Sequence, residues 1–145
     1  MIYNTKADLV INKMQQDRSV FARRIKRELE LLELLQDEYQ YKLIDSTHIE
    51  FYLSDGIILK MQLDGYPFKA PECLIKNMEG FQTFDFSQNE YYTTDDNKKD
   101  VLFAANMIKL PILDKYWSPQ CLLVDIVKEV LSALPKIQGH NWYKK

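Results

Sequence analysis

The spacing of apolar positions changes character near Asp37. Before it, Phe21, Ile25, Leu29 and Leu32 step by 4, 4 and 3 along one helical stripe. They lie in a periodic segment from about Thr5 to Gln36, whose early part is less regular. A break near Asp17 leaves Asp17 or Ser19 to cap the strong helix. After Asp37 the period is 2. Tyr39, Tyr41 and Leu43 share one face, then Ile49, Phe51 and Leu53, then Ile57, Leu59, Met61 and Leu63. Asp45-Ser46-Thr47 and Ser54-Asp55-Gly56 supply the turns, so the pattern predicts an antiparallel meander with one buried face. A fourth strand, Glu72–Ile75, follows Tyr66-Pro67-Phe68-Lys69-Ala70-Pro71, whose prolines force an extended entry.

Residues 78–103 read as an irregular, insertion-like loop in which Phe81, Phe84, Phe86, Tyr91 and Tyr92 alternate with polar side chains. A second helix then begins at Ser118, a good N-cap, with Pro119 in its first turn. Leu123, Ile126, Val127, Val130 and Leu134 form its stripe, and Pro135 is expected to stop it. The expected architecture is α+β, with helices packed on a four-stranded antiparallel sheet. Residues 1–17 are an N-terminal extension, 18–136 the domain, and 137–145 a tail too short for another packed element.

Composition narrows the function classes. At 145 residues the chain is one domain's worth, with 46% hydrophobic residues, 28% charged and a net charge of −2. The aromatic loop is acidic before Lys98, whereas nucleic-acid binding calls for basic residues around the rings, so no nucleic-acid partner is expected. No run of about 18 apolar residues is present and the start lacks a signal-peptide pattern, so neither a membrane nor secretion is expected. The expected compartment is the cytoplasm, with the nucleus as a second.

Chemistry-bearing motifs are sparse. Cys73 and Cys121 form neither a disulfide framework nor a metal motif, and His48 and His140 fall in no ligand pattern. No phosphate loop, nucleophile elbow or zinc helix is found. Asp95-Asp96 reads as part of a solvated loop. Spacing alone therefore stops at an α+β domain without metal or cofactor.

Two stretches go further. Tyr66-Pro67-Phe68-Lys69-Ala70-Pro71 resembles the Tyr-Pro-Phe-Lys-Pro-Pro segment before the fourth strand of ubiquitin-conjugating enzymes. Ile108-Lys109-Leu110-Pro111-Ile112-Leu113, three residues, then Trp117-Ser118-Pro119 resembles that family's active-site segment, which reads Ile-Cys-Leu-Asp-Ile-Leu before the same gap and Trp-Ser-Pro. Phe21-Ala-Arg-Arg-Ile-Lys-Arg-Glu-Leu29 is similar to the family's first helix. The resemblance spans about Phe21 to Leu134, interrupted by the aromatic loop.

The departures shape what it implies. Lys109 stands where the family carries its catalytic cysteine. A thioester needs a thiolate that attacks well and leaves well, whereas a lysine amine, with a free pKa of about 10.4, is mostly protonated and gives a stable amide. The family's His-Pro-Asn tripeptide is missing from Asp100-Val-Leu-Phe-Ala-Ala-Asn106, and Asn106 lies too near Lys109 to replace its asparagine. Pro111 replaces an acidic residue, and the chain ends before the family's last two helices. An engineered Cys-to-Lys exchange would account for Lys109 and for none of the other departures. Cys121 is a second candidate thiol, in the first turn of the second helix.

The remaining pattern is similar to the cysteine-less ubiquitin-conjugating enzyme variants. The resemblance implies a catalytically inactive, non-covalent binding module in ubiquitin transfer, with no cofactor. Its partners would be ubiquitin or a ubiquitin-like modifier, an active conjugating enzyme, or a ligase. By resemblance Phe68, Pro119 and Gln120 match the ligase-docking surface, although Gln120 replaces a small residue. Arg23, Arg24, Lys26 and Arg27 match the basic helix face used towards the activating enzyme, and equally fit a solvated face. Two alternatives stay open: a true conjugating enzyme with Lys109 in place of its cysteine, and an RWD-like protein-interaction domain.

Overall fold

Ser19 opens the first helix as its N-cap: its backbone is extended and its Oγ accepts from the Ala22 amide at 3.1 Å. The computed structural model describes residues 19–35, 39–80, 86–87, 90–94, 98–138 and 143–144. The less regular segment before Ser19, with the N-terminal extension, lies outside the described residues. Helix α1 spans Val20–Leu34 and buries Ile25, Leu29 and Leu32, as the stripe predicts, whereas Phe21 is half-buried and Ala22 and Glu28 are buried as well.

The first four strands form the expected antiparallel meander with the expected buried face. Strands β1 (Gln40–Asp45), β2 (His48–Tyr52), β3 (Ile57–Gln62) and β4 (Glu72–Asn77) pair antiparallel in turn. Leu43↔Ile49, Phe51↔Leu59 and Met61↔Cys73 put the buried side chains on one face. The β1–β2 register shifts between Leu43 and Asp45, just ahead of the turn.

The sheet does not stop at four strands. Strands β5 (Tyr91–Thr94), β6 (Asp100–Ala104) and β7 (Met107–Lys109) continue it, and Tyr143–Lys144 adds a two-residue edge, β8. The order is β1-β2-β3-β4-β7-β6-β5-β8, with every pairing antiparallel. This corrects the four-stranded expectation and the reading of 78–103 as a mere loop. It also corrects the tail, part of which pairs with β5. Val101 and Phe103 enter the core, and Phe86 packs against Tyr91 and Phe103 with ring centroids 5.7 Å apart in both cases. Of the other aromatics in that stretch, Phe81 and Phe84 lie outside the described residues.

Helix α2 spans Leu123–Gln138 and differs from expectation at both ends. Ser118 and Pro119 form a turn ahead of it, closed by Cys121 N–H to the Ser118 carbonyl at 3.0 Å. At the other end the helix runs through Pro135. Proline has no amide hydrogen, so the bond that residue 135 would donate to the Leu131 carbonyl is lost, yet the helix continues to Gln138. Ile126, Val127, Val130 and Leu134 join the core that α1 and the sheet share, and α2 lies against β5. Among the described residues, no helix is long and apolar enough to cross a membrane.

Candidate functional site

The stretches that carry the sequence motifs meet at one corner, around a buried carboxylate. Glu28 is 3% exposed although it lies on the apolar stripe of α1. Its Oε2 accepts from Arg24 Nε at 3.0 Å and from the Tyr66 hydroxyl, and its Oε1 accepts from the Leu123 amide at 2.6 Å. The last contact satisfies a free N–H at the start of α2, where the helix dipole also favours negative charge. The Asp125 carboxylate takes the Leu122 amide beside it at 2.9 Å.

Arg24 completes the junction. Its Nη1 donates to the Pro119 carbonyl at 2.5 Å and its Nη2 to the Cys121 carbonyl at 2.6 Å, while the guanidinium lies 5.5 Å from the Tyr66 ring centre. The Tyr66 hydroxyl also reaches the Cys121 carbonyl at 3.3 Å. Trp117 closes the other side: its Nε1 donates to the Pro67 carbonyl at 3.0 Å and its ring lies 5.8 Å from Tyr66. The Tyr66–Pro67 peptide is cis.

The electrostatics follow from burial. Desolvation raises the Glu28 carboxyl above its ordinary value, against the opposing pull of the Tyr66 hydroxyl, the Leu123 amide and Arg24. The Tyr66 hydroxyl is raised strongly, by burial first and by the neighbouring Glu28 carboxylate next. Both effects keep Tyr66 a donor to Glu28 across the ordinary pH range.

The predicted site residues divide. Phe68 is 67% exposed on the turn after Tyr66, and Pro119 and Gln120 are exposed on the turn before α2. The junction brings these two turns together. Arg24 belongs to it and faces inward, so it is not part of a free basic face. Arg23, Lys26 and Arg27 are exposed on α1 and make no described contact with the turns. Lys109 is exposed at the end of β7, opposite Leu102 in β6, between the buried Ile108 and Leu110. Its alternation with those neighbours points it away from the helices.

Other candidates have local roles. Pro111 opens a short 3₁₀ turn, Pro111–Leu113. Asn106 sits in the β6–β7 turn, its amide donating to the Phe86 carbonyl at 3.0 Å and its carbonyl accepting from the Ile75 amide at 2.7 Å. Cys121 is half-buried, its Sγ 3.8 Å from both the Ser118 Oγ and the Tyr116 carbonyl. Cys73 is buried, and desolvation, with Glu72 adding to it, pushes its thiol up to about 12. His48 closes the β1–β2 turn with Nδ1 2.8 Å from the Asp45 carboxylate. His140 and Asp95-Asp96 lie outside the described residues. Among the described residues no group of histidines, cysteines and carboxylates could hold a metal.

Sequence reasoning missed Glu28 as the hub of this corner. A signal for it existed: a carboxylate on the apolar stripe, three positions after Ile25 and four before Leu32, needs a buried partner. Lys99, from the aromatic stretch, also reaches the motif segment, with Nζ 3.8 Å from the Tyr116 ring centre.

Compared with known proteins, the chain matches no family model, no curated protein and no solved structure.

Proposed function

We propose that this chain is a non-covalent binding module of the ubiquitin-conjugating type, which holds ubiquitin, a related modifier or a partner conjugating enzyme without forming a thioester itself. The observation that carries the reading is convergence. The Tyr66-Pro67-Phe68 and Trp117-Ser118-Pro119 motifs, 50 residues apart, are bonded to each other through Trp117 Nε1 and the Pro67 carbonyl. Phe68, Pro119 and Gln120 are exposed on the two turns so joined. Where the resemblance calls for the thioester-forming cysteine, the chain has Lys109, an exposed amine. Such a module works by position: holding an acceptor beside another enzyme's active site raises its effective concentration there.

Intact mass after incubation with activating enzyme, ubiquitin and ATP, with and without reductant, tests the chemistry. No added ubiquitin in either sample is the expected result. An adduct that reductant removes overturns the proposal and assigns a working thiol, with Cys121 the first to be examined. An adduct that survives and maps to Lys109 favours a conjugating enzyme with an exchanged residue. Titration with labelled ubiquitin and with an active conjugating enzyme tests the binding; failure to bind either favours the RWD-like alternative.

A further inference from the structure

We propose that Glu28, Tyr66 and the Cys121 carbonyl form a proton-operated switch. One proton taken up by Glu28 turns the Tyr66 hydroxyl from Glu28 to Cys121 and so carries the change into the turn before α2. The inference is independent of the binding role proposed above.

The geometry supplies two sets of bonds for the same corner. With Glu28 ionised, its Oε2 accepts from the Tyr66 hydroxyl and from Arg24 Nε, and its Oε1 accepts from the Leu123 amide. The Tyr66 hydroxyl has a second acceptor within reach, the Cys121 carbonyl at 3.3 Å. In acid, a proton from solvent on Oε2 makes Glu28 a donor, and the Tyr66 oxygen beside it can accept. The Tyr66 hydrogen then rotates to the Cys121 carbonyl. Oε1 keeps the Leu123 amide, and Arg24 keeps the Pro119 and Cys121 carbonyls while its Nε still faces an oxygen lone pair. Each of these donors has an acceptor in both states, so the proton is taken up without stranding a buried polar group.

Two things change with the proton. Arg24 loses its charge-assisted partner, and the Cys121 carbonyl holds Tyr66 in addition to Arg24 Nη2. The Cys121 amide is bonded to the Ser118 carbonyl at 3.0 Å, so a change at its peptide reaches the Ser118–Cys121 turn. The surroundings leave Glu28 as the titrating member. The Arg24 guanidinium holds its charge, and burial, with Glu28 adding to it, raises the Tyr66 hydroxyl. The Asp125 carboxylate is turned to the Leu122 amide, and the Cys121 thiol to Ser118 and the Tyr116 carbonyl. His48 is bonded to Asp45 and Thr47 at the β1–β2 turn. Burial is the largest influence on Glu28 and raises its carboxyl, which puts the change above the ordinary 4.5.

Carbon-13 and nitrogen-15 spectra of the labelled full chain between about pH 4 and pH 8 read both ends of the switch. In the parent, the Glu28 carboxyl, the Leu123 amide and the Cys121 carbonyl are expected to titrate together, with one midpoint above 4.5 and the fold intact. In Tyr66→Phe, Glu28 and Leu123 are expected to titrate still. The Cys121 carbonyl should then lose most of its shift, because the hydroxyl and not Arg24 carries the change. In Glu28→Gln an amide N–H stands in for the carboxyl O–H, so the Cys121 carbonyl is expected at the parent's acid position at every pH.

A Cys121 carbonyl that does not follow Glu28 in the parent overturns the proposal, as does one that follows it with undiminished shift in Tyr66→Phe. Unfolding of the parent in step with the Glu28 titration overturns it too, since the folded chain would then lack the second set of bonds. If Tyr66→Phe fails to fold, Glu28→Gln decides: a Cys121 carbonyl held at the parent's neutral position rejects the switch.

Discussion

Glu28 carries two opposing contributions, and their balance is measurable. Its folded carboxyl lies above the ordinary value of 4.5, with burial the largest cause. The folded chain thus keeps this proton to higher pH than the unfolded chain, so the Glu28 contribution to stability falls as pH rises from about 4.5 through the folded value. Urea unfolding of the parent and of Glu28→Gln between about pH 4 and pH 7 checks this. The expected result is a parent advantage that shrinks with rising pH; one that grows would mean the donors outweigh burial. Deleting the group is a different matter. Glu28→Ala strands the Arg24 guanidinium and the Leu123 amide and is expected to cost about 3–5 kcal/mol, read as a lower urea midpoint. The two thiols give another contrast. Cys121 is half-buried and Cys73 buried with its thiol raised to about 12, so a maleimide should label Cys121 in the native chain and Cys73 only after unfolding. Mass mapping of the labelled chain decides, and native labelling of Cys73 would contradict the described core.

Turns separate the elements whose reading from sequence succeeded from those whose reading did not. The β1–β2 turn was legible in Asp45-Ser46-Thr47, where Asp45 Oδ1 accepts from the Thr47 amide at 2.8 Å. The β6–β7 turn uses Ala105 and Asn106 with φ of 52° and 62°, so two residues with side chains occupy the left-handed region. Alanine is a poor marker of such a turn, which hid the hairpin and left 78–103 looking irregular. Replacing Ala105 by Gly relieves that conformation and is expected to stabilise the chain by about 1 kcal/mol in thermal or urea unfolding. Gly65 is the opposite case. Its φ is +83° and an added Cβ would lie 2.9 Å from Lys69 Cδ, so Gly65→Ala is expected to lower the unfolding midpoint. The start of α2 was misread for a similar reason. Ser118-Pro119 has the residue types of a helix start, but the fold caps α2 at Leu123 with Glu28, 95 residues away in the chain.

At the scale of the whole molecule, β5, β6 and β7 share one core with α1, α2 and the meander, because Tyr91, Val101 and Phe103 belong to the same buried cluster as Ile25, Phe51 and Val127. Phe103 is fully buried, so Phe103→Ala is expected to cost about 3–5 kcal/mol. Far-ultraviolet circular dichroism and Trp117 fluorescence should then lose signal in a single coincident transition. An early, separate step would mean that the added strands are a detachable unit. By itself the sequence determined the α+β class, the stripe of α1, the buried face of the first four strands and the core of α2, because period and turn residues act over a few neighbours. Only the tertiary structure decided that the sheet continues past β4, that Arg24 turns inward, and that a single carboxylate on α1 joins the Tyr66 and Trp117 motifs. Those outcomes depend on donors and acceptors from distant parts of the chain being desolvated together, and pairing of that kind leaves no periodicity to read.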